Sequence, residues 1–427
     1  MSRYAFFRQS GWMVAATGAA GALVLMVPQV LTKPVGIPGL RPPILGEEFG
    51  LFQFLVAFVS WLNIPSNGVQ STLAQQTASA VTPDSERQLR GTIRRLLGGL
   101  SIIWVVAVIL ALVFQAKIMR DFKVYHPASL WVTMLIGLPV LWLPVFAGIL
   151  QGKENFMWLG WQSILNSFAR VLAIFVFVRL MGVHVTGAMA GVLAGSCTSL
   201  AICSWQIWPL LRGPADRVHW GPLLRRLLPI TFGLGAAAFI ISADVVFVRR
   251  FFSAQQAAQT GLYSAVAVIG RALMFLVVPM TQVMFPKVVQ AAARSEATDS
   301  MTHALGATAL IGAAAALGCT LLPELPLRIL FSPEYLPAKA LVWVYAWCMV
   351  PMTLAMVLIN NLMARQHFAS VPWLVGVAVA YAAALAVVAQ RVQSWAAIEA
   401  FRAIVLTFGV FSLLMLAITI LFTIRKR

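Results

Sequence analysis

Long apolar stretches separated by short polar breaks run the length of the chain. A membrane-crossing helix needs about 20 mostly apolar residues. Windows of that kind predict spans at Ser10–Thr32, Phe49–Leu73, Leu97–Gln115, Ser129–Leu150, Met157–Val178 and His184–Leu210 in the first half. In the second half they fall at Leu224–Val248, Gly261–Phe285, His303–Leu322, Ala338–Met363, Val371–Ala389 and Phe401–Thr423. The first run follows Arg3 and Arg8, as a signal sequence would, yet it continues to Leu31 without a small-residue cleavage site and so reads as a span. The expected fold is therefore an all-α polytopic membrane protein of about twelve transmembrane helices.

Basic residues in alternate loops give the orientation, because cytoplasmic loops hold the excess of Lys and Arg. One side carries 17 of them, including the cluster Arg87, Arg90, Arg94 and Arg95 and the tail Arg425-Lys426-Arg427, and the other 12, among them Arg179, Arg249 and Arg250. Both termini are accordingly expected in the cytoplasm. The segment Arg87 to Arg95 reads as a solvated loop against anionic headgroups. Trp and Tyr near span ends, Tyr263 among them, read as an interfacial belt.

Composition narrows the function classes. Of the 427 residues, 60% are hydrophobic and 10% charged, a balance suited to lipid rather than water. The net charge of +18 is dispersed among loop ends, which argues against nucleic acid as a partner. Cys197, Cys203, Cys319 and Cys348 sit in apolar runs without metal-ligand spacing, and no phosphate-cradling loop or nucleophile elbow is present. No cofactor is expected. An enzyme using Glu47-Glu48 as an acid pair is disfavoured by the shortness of every outer loop.

The chain also resembles itself. Tyr125-His126-Pro127-Ala128 matches Tyr335-Leu336-Pro337-Ala338 at an offset of 210, and Gly50-Leu51-Phe52 matches Gly261-Leu262-Tyr263 at 211. The segment Leu150-Gln151-Gly152-Lys153-Glu154-Asn155-Phe156 falls on Leu362-Met363-Ala364-Arg365-Gln366-His367-Phe368 at 212, carrying Trp161 onto Trp373. Agreement on one offset predicts a duplication, with six-helix lobes at 1–212 and 213–427. Six spans is an even number, so both lobes enter from the same side, as parallel repeats.

Ionisable groups at membrane depth are costly and should face the bundle interior or a wet cavity. Arg170 in the fifth span and Arg271 in the eighth meet that description. Gln162, Asn166 and Arg170 share one helix face, Asn63, Asn67 and Gln70 form a stripe beside Pro65, and Ser264 shares a face with Arg271. Such stripes suit a hydrated sugar path, and equally they could bond neighbouring helices. Asp244 reads as a gating or ion-coupling acid, or as an interfacial acid paired with Arg249 or Arg250. Pro139, Pro144, Pro279 and Pro351 could kink their helices.

In the order of these features the chain resembles the polysaccharide transporters, including Wzx-like O-antigen flippases, of the multidrug/oligosaccharidyl-lipid/polysaccharide exporter superfamily. The resemblance rests on Glu48-Phe49-Gly50, Leu150-Gln151-Gly152, Arg170, Asp244, Gly261-Leu262-Tyr263-Ser264 with Arg271, Pro286, and Phe331-Ser332-Pro333-Glu334-Tyr335. It implies a V-shaped pair of lobes that moves an undecaprenyl-diphosphate-linked oligosaccharide across the bacterial inner membrane by alternating access. It also implies membrane lipids, a polysaccharide polymerase and chain-length machinery as partners. Arg170 and Arg271 would then bind the diphosphate, and the polar stripes the sugar. A cation-coupled multidrug exporter of the same superfamily is the alternative, weakened by the lack of an acid in Ser10–Thr32.

Overall fold

The computed structural model describes residues 3–34, 40–44, 46–80, 82–216, 220–252, 259–274 and 300–424. The helices are α1 (Arg3–Thr32), α2 (Gly46–Leu62), α3 (Ile64–Ser79), α4 (Pro83–Val113), α5 (Gln115–Asp121), α6 (Pro127–Gly152), α7 (Phe156–Ile174, continued by a π turn Phe175–Leu180) and α8 (His184–Leu211). The second half contains α9 (Trp220–Phe251), α10 over 259–274, α11 (Ser300–Leu321), α12 (Glu324–Leu330), a 3-10 turn Pro333–Ala338, α13 (Lys339–Ala364), α14 (Val371–Arg391) and α15 (Ala397–Ile424). No strand occurs among the described residues.

Nine of these helices are long and apolar enough to cross a membrane, and ten if α11 and α12, bent by 92° at their junction, form one broken span. The expected second span is divided: α2 and α3 meet at Asn63, where Pro65 in the first turn of α3 interrupts the ladder. The eighth is described only as far as Met274, and Pro279 and Pro286 lie outside the described residues. Large apolar side chains stand exposed in rows, such as Ile102, Val106, Ile109 and Val113 on α4 and Leu406, Val410 and Leu413 on α15. A water-soluble surface does not carry patches of that extent, and lipid is their natural solvent.

Close contacts divide the chain into two compact units, Met1–Val24 with Phe58–Gly235, and Leu25–Ala57 with Ala236–Arg427. In the first, Val69, Leu73, Leu89, Ile93, Leu141, Val145, Cys203 and Ile207 build the core. In the second, Tyr345, Met349, Leu358, Leu374, Ile404 and Phe408 are buried.

The stretch expected as a basic loop before Leu97 is instead the start of α4. Thr82 and Ser85 cap one another, with Ser85 N donating to Thr82 Oγ1 at 3.3 Å and Thr82 N to Ser85 Oγ at 3.0 Å, and Pro83, Asp84 and Glu86 fill the first turn. Its leucines enter the core while its arginines close the end of α8. Arg90 Nε donates to Leu210 O at 3.0 Å, and Arg94 Nη2 to Leu211 O and Gly213 O at 2.9 Å. Cations here satisfy carbonyls that the last turn of a helix leaves without partners.

Some elements at corresponding positions of the two halves are alike in local geometry. Helices α6 and α13 are both 26 residues long, and α8 and α15 both 28. Pro139 of α6 falls on Pro351 of α13 at the offset of 212. After α6, Glu154 turns left-handed (φ 57°), with Asn155 N donating to Leu150 O at 2.9 Å and Glu154 N to Gln151 O at 3.1 Å. After α13, Gln366 does the same (φ 57°), with His367 N to Leu362 O at 2.9 Å and Gln366 N to Met363 O at 3.1 Å. Both ends are Schellman caps, each built on a residue other than glycine.

Candidate functional site

In the first unit, Gln162, Asn166 and Arg170 occupy the face of α7 that meets α8. That approach is set by a stripe that hydropathy does not register: Gly187, Gly191, Gly195 and Ser199 recur every fourth residue on α8. A Cβ at Gly187 would lie 2.9 Å from Phe177 Cβ, at Gly191 3.0 Å from Arg170 O, and at Gly195 2.6 Å from Asn166 O. Only glycine lets the helices come so near, the signal being small residues four apart in an apolar run. Ser199 Oγ donates a hydrogen bond to Gln162 Oε1, and Gln162 Nε2 donates to Ser163 Oγ at 3.0 Å. Gln162 is thus engaged in helix-to-helix bonding.

Arg170 lies past the midpoint of the 25-residue span Phe156–Leu180. Its side chain is half-buried, and its Nε is enclosed without a hydrogen-bond partner among the described residues. On α3, Gln70 Nε2 donates to Gln151 Oε1 of α6 at 3.3 Å, and Ser66 Oγ to Leu141 O at 3.1 Å. The Oδ1 of Asn63, at the break before α3, is enclosed with no partner among the described residues. Asn67 lies in α3, with its side chain outside the described residues.

The second unit holds the most elaborate polar cluster. Asp244 on α9 is fully buried, seven residues before the helix ends at Phe251. Its Oδ1 accepts from Arg271 Nη2 of α10 at 2.7 Å, and its Oδ2 accepts from Tyr263 Oη of α10 and Tyr345 Oη of α13, each at 2.7 Å. The pairing of Asp244 with Arg249 or Arg250 is therefore replaced: Arg249 lies 4.0 Å from Glu47 on α2, and the guanidinium of Arg250 sits over the Phe251 ring at 5.8 Å. Depth explains the change, because Arg271 reaches a buried carboxylate that residues at the helix end do not.

Aromatic rings wall the cluster. Tyr345 stacks on Phe408 at 5.5 Å, Tyr263 lies 5.4 Å from Phe401, and Tyr381 of α14 lies 6.4 Å from Phe408. Gly270 on α10 is required here, since a Cβ would collide with the Tyr345 ring. Tyr263, expected as an interfacial anchor, is fully buried and serves the carboxylate instead. Tyr345 and Tyr381 were not singled out from sequence, although a tyrosine deep in an apolar span signals a hydroxyl in need of a partner. Ser264 is buried in α10 and is the next residue after Tyr263.

The Arg271 side chain remains 19% exposed while Asp244 is 0% exposed. The carboxylate is satisfied by three donors, whereas the guanidinium keeps N–H groups not committed to it. An anion arriving at Arg271 would share it with Asp244. The two units thus present arginines of different kinds: Arg170 without a counter-charge, Arg271 already neutralised.

Residues 19–292 match the family described as polysaccharide biosynthesis protein. A protein of Escherichia coli (strain K12), named as a candidate O-antigen transporter, is 25% identical over 332 residues, 72% of this chain and 72% of that one. Among solved structures, an inward-facing multidrug resistance MATE family transporter of the MOP superfamily aligns with TM-score 0.72 at 10% identity, over 96% of this chain and 94% of that chain. A MOP superfamily transporter from Pyrococcus furiosus gives TM-score 0.70 at 13% identity, over 99% and 96%. The lipid II flippase MurJ, in an inward closed conformation, gives 0.68 at 14% identity, over 95% and 86%. Identities this low speak for the fold alone. The chain is a multi-pass membrane protein that belongs to the polysaccharide biosynthesis protein family and has the fold of the MOP superfamily transporters.

Proposed function

We propose that this protein is a flippase that moves an undecaprenyl-diphosphate-linked oligosaccharide, or a related polysaccharide precursor, across the bacterial inner membrane by alternating access. The observation that carries the reading is Arg170, a guanidinium at membrane depth with no hydrogen-bond or ion-pair partner among the described residues. A cation kept there without a counter-ion is costly unless an anion visits it. A diphosphate is such an anion, and charge-assisted bonds to guanidinium are among the stronger ones available to it. The family match and the O-antigen transporter relative agree with a glycan cargo.

In this reading Arg170 is the primary diphosphate contact and Arg271 a conditional one, released as Asp244 yields part of its hold. Asn63, Asn67, Gln70, Asn166 and Ser264 offer amide and hydroxyl groups to the sugar, while Gln162 spends its side chain on α8. Both termini lie in the cytoplasm. The cargo comes from the cytoplasmic glycosyltransferases and is handed to a polymerase with its chain-length machinery.

The test is export in a strain lacking the chromosomal copy. The deletion is expected to accumulate one lipid-linked glycan on the cytoplasmic side, and wild-type protein to clear it. Arg170→Gln with Arg271→Gln should leave it accumulated although the protein is present in the membrane. Normal glycan export by that double variant would refute the assignment of the arginines. Normal glycans with raised drug sensitivity in the deletion strain would favour a multidrug exporter instead.

A further inference from the structure

Glu324 opens α12 with more positive charge around it than it can neutralise. Its Oε2 accepts from Arg328 Nη2 and its Oε1 from Lys339 Nζ, each at 2.8 Å. One carboxylate therefore holds two cations, and the group carries one positive charge in excess. Arg328 stands one turn along the same helix, at i+4, a spacing that suits the pair, whereas Lys339 reaches across from the start of α13. Both pairs are exposed, and exposed pairs are weak because water competes for them. Lys339 can therefore turn to another anion at little cost while Arg328 keeps the carboxylate neutral.

Glu324 and Lys339 line a cavity of about 620 Å³ whose remaining wall is mostly apolar, with Leu321, Leu322, Leu325 and Trp343 in it. Chain direction creates this cavity. α11 ends at Leu321 and α12 leaves at 92° to it, so the two helices and the start of α13 enclose a corner. Leu327 is fully buried beneath α12, and Trp347 Nε1 of α13 donates to Thr320 Oγ1 of α11 at 3.0 Å, which fixes the walls. Leu321 is nevertheless 76% exposed and Leu322 58%, so the apolar wall is open to the surroundings of the span. The corner lies at the end of α11 and at the start of the span Pro333–Ala364, the depth at which lipid headgroups and tryptophan side chains meet. Glu334 does not line the cavity, and its Oε1 accepts instead from Ser332 Oγ at 3.0 Å.

We infer that this corner binds an anionic glycerophospholipid of the bilayer, its phosphodiester taking Lys339 and its acyl chain lying on Leu321, Leu322 and Leu325. Charge decides the class. The excess at Glu324 is one positive charge, and a phosphatidylglycerol phosphodiester carries one negative charge. A zwitterionic headgroup brings its own ammonium and would leave the excess in place. No residue of the proposed cargo path takes part.

The purified, delipidated full-length protein in detergent is titrated with dioctanoyl phosphatidylglycerol, dioctanoyl phosphatidylcholine and farnesyl phosphate, using dioctanoylglycerol as the phosphate-free blank. Thermal unfolding is the readout. Phosphatidylglycerol should raise the Tm of wild type and of Arg170→Gln alike, and phosphatidylcholine and the blank should not at the same concentration. Lys339→Gln should need about tenfold more for the same rise, the loss of one charge-assisted contact. Glu324→Gln should need less than wild type, because both cations are then uncommitted. That opposite sign separates a binding site from a structural ion pair, whose loss acts alike from either side. Ala340 also lines the cavity and is exposed, so Ala340→Trp fills the corner without altering a charge and should abolish the rise. No rise in wild type, an equal rise in Lys339→Gln or in Ala340→Trp, or a weaker response in Glu324→Gln would each overturn the site. A larger response to phosphatidylcholine or to farnesyl phosphate would overturn the choice of an anionic bilayer lipid. Because Arg170→Gln is measured alongside, failure here is distinct from failure of the flippase reading.

Discussion

At the scale of single residues, Asp244 shows how a buried charge is kept. Three donors at 2.7 Å surround it, one of them cationic, so desolvation is offset within the cluster. Asp244→Ala should destabilise the protein by about 3–5 kcal/mol, since it leaves Arg271 enclosed without its counter-charge. Reversible unfolding in mixed micelles would measure this, and Arg271→Met added to Asp244→Ala should recover part of the loss. The tyrosines separate by their partners. Tyr345→Phe removes a bond to the carboxylate and should cost roughly 1–3 kcal/mol. Tyr381→Phe should be neutral or slightly stabilising, because that hydroxyl is buried with no partner among the described residues. Asp244 and Tyr345 lie 101 positions apart, and no local pattern joins them. The acid and the arginine were legible as polar exceptions in apolar runs. Their mutual pairing was not, because it depends on which faces of α9, α10 and α13 meet.

Between elements, close approach is the organising feature. The glycine stripe on α8 lets α7 come near enough for Ser199 to bond Gln162, and a larger residue there has only backbone to push against. Gly195→Leu should therefore lower stability by about 1–3 kcal/mol or more, the usual penalty of overpacking. Gly18→Leu is the matched control, because nothing lies within 4 Å of its Cβ position. The repeat makes a paired prediction. Glu154 and Gln366 hold the same left-handed cap after α6 and α13, so Glu154→Gly and Gln366→Gly should each stabilise by up to about 1 kcal/mol. A rise in Tm for one and a fall for the other would contradict equivalent roles. The seven-residue motif behind this comparison was visible in sequence as a similarity. Its meaning as a helix cap required the hydrogen bonds.

For the whole molecule, hydropathy alone was sufficient to place most helices within a few residues. Transfer from water to lipid is a local property that adds along a segment, so a window over the sequence captures it. The same window misjudged α4 by fourteen residues at its start, since the amphipathic turns from Pro83 onward bury leucines on one side only. It also drew the second span as one continuous helix, where Pro65 breaks the ladder. Lipid as solvent, the self-similarity of the two halves and the outlying arginines were therefore determined by the sequence itself. The tertiary structure decided that Arg271 is neutralised and Arg170 is not, that Tyr263 faces inward, and that Arg179 is enclosed. Whether a charge at membrane depth is free or paired depends on what the neighbouring helices bring within about 3 Å of it, and that is settled only when the helices pack.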